Sequence, residues 1–305
     1  MQTKAMGPGA GWRWLASAVN LGRNNPRALF GAAALMMGVA LLPSLLQVLA
    51  IEFAGAGNAR LPMLVALGAT LVLVVLYPLL LAGFMRVVHA VETGRPTRAT
   101  ALFDAFRAGH GRGRVIGIGL LLLAVYIGLV ALVLGVAGRE VAAWYVDVWA
   151  MAQSPTPGSA PTLPGMPDGI GRVMALMLLV AMVTGGLYSI GFGQVALNGR
   201  GVGEAFRDAV AGTLKNVLPL LVLALVGLAG MIVAALVIAL VVVFLVMLGG
   251  LVSPVLGAVL AIPVYAAFLV MLYVVMFGVM YFIWRDVCGA EAAGTPAAPH
   301  AGFEA

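Results

Sequence analysis

The chain has 305 residues, 63% of them hydrophobic and 9% charged, with a mean hydropathy of +1.10 and a formal net charge of +6. A soluble domain is about a quarter charged because its surface must face water; here 17 basic and 11 acidic side chains cannot cover a 31.3 kDa surface. The composition therefore excludes a soluble fold and specifies an all-α integral membrane protein. A single Cys excludes a disulfide framework and a thiolate metal cluster.

In chain order, the first feature is a short amphipathic stretch in which Trp12, Leu15 and Val19 oppose Arg13, Ser17 and Asn20. Asn25-Pro26 then reads as a helix cap followed by the first helical residue. A hydrocarbon core of about 30 Å needs roughly 20 apolar residues per crossing. Six runs meet that length: Ala28–Ile51, Leu61–Met85, Val115–Gly138, Val173–Leu197, Val217–Leu248 and Pro254–Trp284. No Asp, Glu, Lys, Arg or His falls inside them. The first run exceeds the roughly 7–15 residues of a signal-peptide core, so it is read as a retained anchor even though Ala54-Gly55-Ala56 mimics a cleavage site. Within the uncharged stretch 217–284 the turn signals cluster once, at Gly249, Gly250, Ser253 and Pro254, which predicts one cut and two long spans.

Basic residues are distributed unequally. With six crossings, fourteen Lys and Arg fall on the side of the N-terminus, and only Arg60, Arg139 and Arg172 fall on the other. Short loops rich in Lys and Arg stay cytoplasmic, so both termini are expected inside a bacterial inner membrane, with the basic flanks against an anionic inner leaflet. The same distribution argues against nucleic acid as a partner, since no soluble basic module is present.

Two further amphipathic stretches precede the third and fifth spans. Leu102, Phe103 and Phe106 oppose Asp104 and Arg107, and Val202, Phe206, Ala209 and Val210 oppose Glu204, Arg207, Asp208 and Lys215. The loops also echo one another: Gly83-Phe84 is followed by Gly94-Arg95, and Gly191-Phe192 by Gly199-Arg200. The predicted plan is a single domain over residues 1–288, built as three repeated hairpins, each preceded by a short interfacial amphipathic helix. Trp12, Trp14, Phe103, Phe106, Phe206 and Trp284 are the expected membrane-interface residues. Asn216 with Pro219 predicts a second cap like Asn25-Pro26. Residues 139–172 form an outer loop whose second half, with Pro155, Pro157, Pro161, Pro164 and Pro167, reads as an extended tether, and 289–305 as a disordered cytoplasmic tail. Trp144, Tyr145 and Trp149 at the start of that loop read as an aromatic belt.

Gly11-Trp12-Arg13-Trp14, Arg23-Asn24-Asn25-Pro26 and the Gly94-Arg95 return resemble an uncharacterised family of proteobacterial multi-pass inner-membrane proteins. The six-helix plan is also similar to the membrane domain attached to some glycerophosphodiester phosphodiesterases. The resemblance covers roughly Gly11–Gly289 and implies a fold and a location. It carries over no phosphodiesterase activity, because no segment outside the spans exceeds 34 residues and the catalytic barrel has no counterpart.

Chemistry-bearing residues are few. His89 and Glu92 lie three apart below the second span, with His110 beyond them, and Cys288 follows the last span. They read as wet helix ends and a juxtamembrane thiol. Gly109-His110-Gly111-Arg112-Gly113 lacks the strand and Lys-Ser/Thr ending of a phosphate loop and reads as a basic linker. Gln47, Thr70, Tyr77, Tyr126, Thr184, Tyr188, Ser189, Gln194, Tyr265 and Tyr273 are the polar groups inside the spans, placed either to line a cavity or to hydrogen-bond between helices. Pro43, Pro78 and Pro263 predict kinks, and small-residue pairs such as Ala34/Gly38, Ser189/Gly193, Gly230/Ala234 and Gly257/Ala261 predict packing faces. An ionisable group at mid-membrane costs about 3 kcal/mol or more and is kept for ion coupling; its absence argues against a proton pump, a voltage sensor and a charged-ring pore. The expectation is a non-enzymatic protein without a cofactor, membrane-organising or binding an unidentified membrane protein partner. The alternative is a carrier or flippase for an uncharged or lipid-like substrate.

Overall fold

The computed structural model describes residues 3–54, 60–107, 109, 111–153 and 165–289. These residues form helices and connecting turns, with no strand among them. The elements are α1 (Ala10–Asn20) with a 3₁₀ turn after it (Leu21–Arg23), α2 (Pro26–Ala54), α3 (Arg60–Glu92), the eight-residue 3₁₀ segment (Ala99–Phe106), α4 (Arg112–Ala137), α5 (Arg139–Gln153), α6 (Ile170–Ala196), α7 (Val202–Lys215), α8 (Val217–Gly250) and α9 (Pro254–Cys288). Six of them, α2, α3, α4, α6, α8 and α9, are long and apolar enough to cross a bilayer. The chain is a multi-pass membrane protein.

Local chemistry sets the helix ends. Asn25 caps α2, its side-chain oxygen accepting from the Ala28 N–H at 3.1 Å. Ser253 caps α9, accepting from Leu256 N–H at 3.1 Å, with Pro254 at the first helical position. The single cut at Gly249–Pro254 is thus built as read, and it yields helices of 34 and 35 residues. Asn216 differs. Its side chain caps nothing in α8; it is buried, and its amide ties down the extreme N-terminal segment. Its oxygen accepts from Met6 N–H at 2.8 Å, and its nitrogen donates to the carbonyls of Lys4 at 2.9 Å and Gly212 at 2.8 Å. Burial explains the reassignment, since an amide removed from water must satisfy both of its ends.

Packing divides the bundle across its length. At the end carrying most of the arginines, which we call the basic end, all six spanning helices contribute fully buried residues: Leu29–Met36, Leu79–Val91, Val115–Leu122, Leu187–Ala196, Leu220 and Val274–Cys288 each include several or one of them. Beyond this zone burial thins to scattered residues, Ala50, Val173, Val180 and Ala261 among them. No residue of α3 from Met63 to Tyr77 is buried, and in α8 beyond Leu220 only Gly249 is. The far halves hold together pairwise, as where Gly249 and Gly257 bring α8 and α9 into backbone contact. Ala34, Gly38 and Gly230 are themselves exposed and Ala234 is half-buried, with nothing near Gly38 or Gly230. These pairs were expected in the bundle core, and the structure places them on surface; Ser189/Gly193 and Gly257/Ala261 do sit at helix contacts.

The three return helices α3, α6 and α9 pack on one another, and each short segment packs on a hairpin. The 3₁₀ segment lies on α3 and α2, α7 on α6 and α4, and α1 on α9 and α8, the last hairpin of the chain. Glycines permit the approach. At Gly83 the Leu102 carbonyl leaves no room for a Cβ, and at Gly11 the Pro219 carbonyl does the same. Pro78 serves contact as well as shape: α3 runs through it, and its ring fills the space above Gly119 of α4.

Candidate functional site at the basic end

The short segments were expected to bury their apolar faces in lipid. In the 3₁₀ segment and α7 those faces are partly sealed against protein, with Leu102, Ala105, Ala205 and Ala209 buried; in α1 the sealed residues are Trp14 and Ala18, on a different face from Trp12, Leu15 and Val19, of which Trp12 and Val19 stay exposed. The reason lies in their small residues, which let the segment backbones seat on helix ends. Trp14 and Trp284, both expected at the membrane interface, are 1% and 4% exposed and belong to this protein core. Phe106 and Phe206 are half-buried against it. Trp12 and Phe103 do face outward, at 58% and 37% exposed. Seven residues from Trp12, Val19 shares its helix face and is also exposed.

A layer of polar contacts runs across the same end. Asp286 of α9 accepts from Trp14 Nε1 at 2.9 Å and, through its other oxygen, from Arg285 Nε at 3.0 Å. Arg285 also reaches Glu92 of α3 at 3.6 Å, and its guanidinium lies 4.6 Å from the Phe282 ring. His89 Nδ1 is 3.1 Å from the Tyr281 hydroxyl. On the other side of the bundle Gln194 donates to Asp208 at 2.6 Å, and Arg200 pairs with Asp208 and Glu204. Arg86 links α3 to α6 by donating to the Ala196 carbonyl at 3.1 Å. Lys4 N–H donates to Val287 O at 3.0 Å, tying the N-terminal segment to α9. Partly buried pairs of this kind fix register between helices more than they add stability.

Two open grooves flank the turn at Pro96. One, of about 410 Å³, is lined by Asn24, Asn25, Glu92 and Arg95. The other, of about 560 Å³, is lined by Arg86, Thr97, Arg98 and Asp104. No family model, curated protein or solved structure matches the chain significantly. The grooves and the polar layer therefore speak only through their own chemistry: exposed arginines beside carboxylates, at a rigid helical end, suited to holding a charged or hydrogen-bonding surface.

The remaining candidates have definite places. His89 and Glu92 do not converge, since one faces Tyr281 and the other Arg285. His110, the proline-rich stretch from Pro155 to Pro164 and the tail from Ala290 lie outside the described residues. Cys288 is buried, next to Val287 whose carbonyl accepts from the Lys4 N–H. Thr70, Thr184 and Ser189 donate to carbonyls four residues back in their own helices, at 2.7, 2.7 and 2.6 Å, rather than between helices. Two features escaped the sequence reading. Helix α5 occupies the first half of the loop after the third span, where Glu140 in its first turn was an available signal. The Asn216 clasp had none, because its partners are 210 and 212 residues away.

Proposed function

We propose that the chain is a non-enzymatic bacterial inner-membrane component, with both termini cytoplasmic, that organises membrane or binds a protein partner through its basic end. One observation carries the reading. Each short segment seals one face against the bundle and leaves a large apolar residue outward: Trp12 on α1, Phe103 on the 3₁₀ segment and Leu214, 68% exposed, on α7. A fixed platform with apolar side chains among arginines is suited to an anionic leaflet or to a partner surface beside it. The arrangement of three segments, two on the preceding hairpin and α1 on the last hairpin of the chain, further supports a threefold repeat of segment, outgoing span and returning span, consistent with the proteobacterial family resemblance. Photocrosslinking in cells from Trp12, Phe103 and Leu214 tests the function. Adducts to lipid or to a discrete membrane protein are expected from all three; adducts to neither would overturn it.

The alternative, a carrier or flippase for an uncharged or lipid-like substrate, draws support from the unpacked far halves of the spans. The solid core at the basic end weighs against passage through the bundle centre.

A further inference from the structure

The larger of the two open grooves, of about 560 Å³, lies where the returning span α3 leaves the bilayer. Residues 61–85 of α3 are a run of about 25 uncharged side chains, roughly 37 Å of helix. That exceeds the hydrocarbon thickness of about 30 Å, so Arg86, the next residue, stands at the level of the lipid headgroups on the basic side. Arg86, Thr97, Arg98 and Asp104 give the groove its polar lining, and Val87, Ala90 and Ala101 an apolar wall. Two guanidinium groups and one carboxylate therefore border a common space of the size that takes a small polar ligand.

The charges are held in place. Arg86 Nε donates to the Ala196 carbonyl of α6 at 3.1 Å. Arg98 precedes the 3₁₀ segment, its carbonyl accepting from Ala101 N–H at 3.0 Å. Leu102 and Ala105, 0% and 1% exposed, seat that segment on the bundle and fix Asp104 between them. Asp104 pairs with Arg107 at 3.4 Å, but the Arg107 side chain is 68% exposed, and an ion pair so open to water engages its carboxylate only weakly. A headgroup that satisfies this lining carries both signs. Its phosphate accepts from the arginine forks, which match paired oxygens in geometry. A wholly anionic headgroup leaves Asp104 facing like charge. An ammonium with N–H donors answers Asp104, whereas a quaternary ammonium has none and is recognised by aromatic cages; no aromatic side chain lines this groove among the described residues.

We propose that the groove bordered by Arg86, Arg98 and Asp104 binds the phosphoethanolamine headgroup of a phospholipid, the guanidinium groups taking the phosphate and Asp104 the ammonium. The acyl chains stay in the bilayer beside α3, which favours the lipid over a soluble phosphate ester. This deepens the platform reading and rests on it in one respect, that the basic end lies against the membrane surface. Crosslinking from Trp12, Phe103 and Leu214 and headgroup selection by the groove are read on different side chains, so either can fail alone.

The test takes the full chain in nanodiscs holding equal amounts of phosphatidylethanolamine, phosphatidylglycerol and phosphatidylcholine with matched acyl chains. Native mass spectrometry then reads the lipid retained. Wild type is expected to retain phosphatidylethanolamine over either other lipid by about fivefold or more. D104N is expected to lose the preference over phosphatidylglycerol and to hold more of that anionic lipid than wild type does, at an unchanged melting temperature. A merely structural role for Asp104 would weaken both lipids together instead of exchanging them. R98Q, at an exposed position, is expected to retain severalfold less phosphatidylethanolamine. Equal retention of the three lipids by wild type, an excess of phosphatidylglycerol, or an unchanged ratio in D104N would overturn the assignment. If D104N fails to fold, the wild-type ratios and R98Q decide, and full retention by R98Q overturns it. Glycerophosphoethanolamine at the same concentration is expected to leave the lipid in place; displacement would make the occupant a soluble ester and overturn the choice of a lipid.

Discussion

Substituting Gly193 by Ala tests whether α6 and α9 are in the close contact described. A Cβ at Gly193 would lie 2.8 Å from Trp284 Cβ and still nearer its ring. Because Trp284 Cβ is fixed to its helix, the collision is relieved only by moving the helices or rotating a 4% exposed indole within a full core. Overpacking of this kind costs about 1–3 kcal/mol, against a gain of about 1 kcal/mol for replacing Gly by Ala within a helix. Gly185→Ala, eight residues away in α6 with nothing near its Cβ, makes the same gain without the collision. The two variants should therefore differ by about 2 kcal/mol. The chain carries its own reporter, since Cys288 is its sole thiol and is 7% exposed. Labelling by a thiol-reactive dye follows the population in which this end has opened. A difference of about 2 kcal/mol is roughly thirtyfold in that population, so G193A should label about thirty times faster than G185A. Equal rates would refute the packing argument.

The two tryptophans of α1 should separate in the same assay. W14A removes a buried indole and is expected to cost about 3–5 kcal/mol, while W12A should stay within about 0.5 kcal/mol in detergent. Removing the Asn216 clasp by N216A leaves the Met6 N–H and Lys4 carbonyl unpaired. Amide exchange over Lys4–Met6 should quicken by the equivalent of about 1–3 kcal/mol, while the amides of α8 keep their protection, since this residue does not cap that helix. S253A should do the reverse at its own site, freeing the Leu256 amide for about 1 kcal/mol and leaving the N-terminal segment unchanged.

What could be read from residues alone follows from which forces are local. Hydrocarbon length and charge exclusion are written into each run, so the six spans and the cut at Gly249–Pro254 emerged from the sequence within a few residues of the helices found. The Asn25 cap is equally local, acting three residues onward. Amphipathicity identified the three short segments but not what they meet: Ala205 and Ala209 seat on protein for the same reason they would seat in lipid, namely that they are apolar. Trp14 and Trp284 look like belt tryptophans in sequence, and only the approach of α1 to α9 and of Gly193 to Trp284 puts them inside.

The central claim is that one end of a six-helix membrane bundle is capped by three short segments, all on the same side of the bilayer. Single cysteines at Trp12, Phe103 and Arg207, one per segment, and at Tyr145 of α5 test it directly, with the buried Cys288 left in place. A membrane-impermeant maleimide applied to intact cells should label only the Tyr145 position, and the other three should react together once the cells are lysed. Labelling of one or two of the three in intact cells would place the segments on different sides of the membrane and contradict the account.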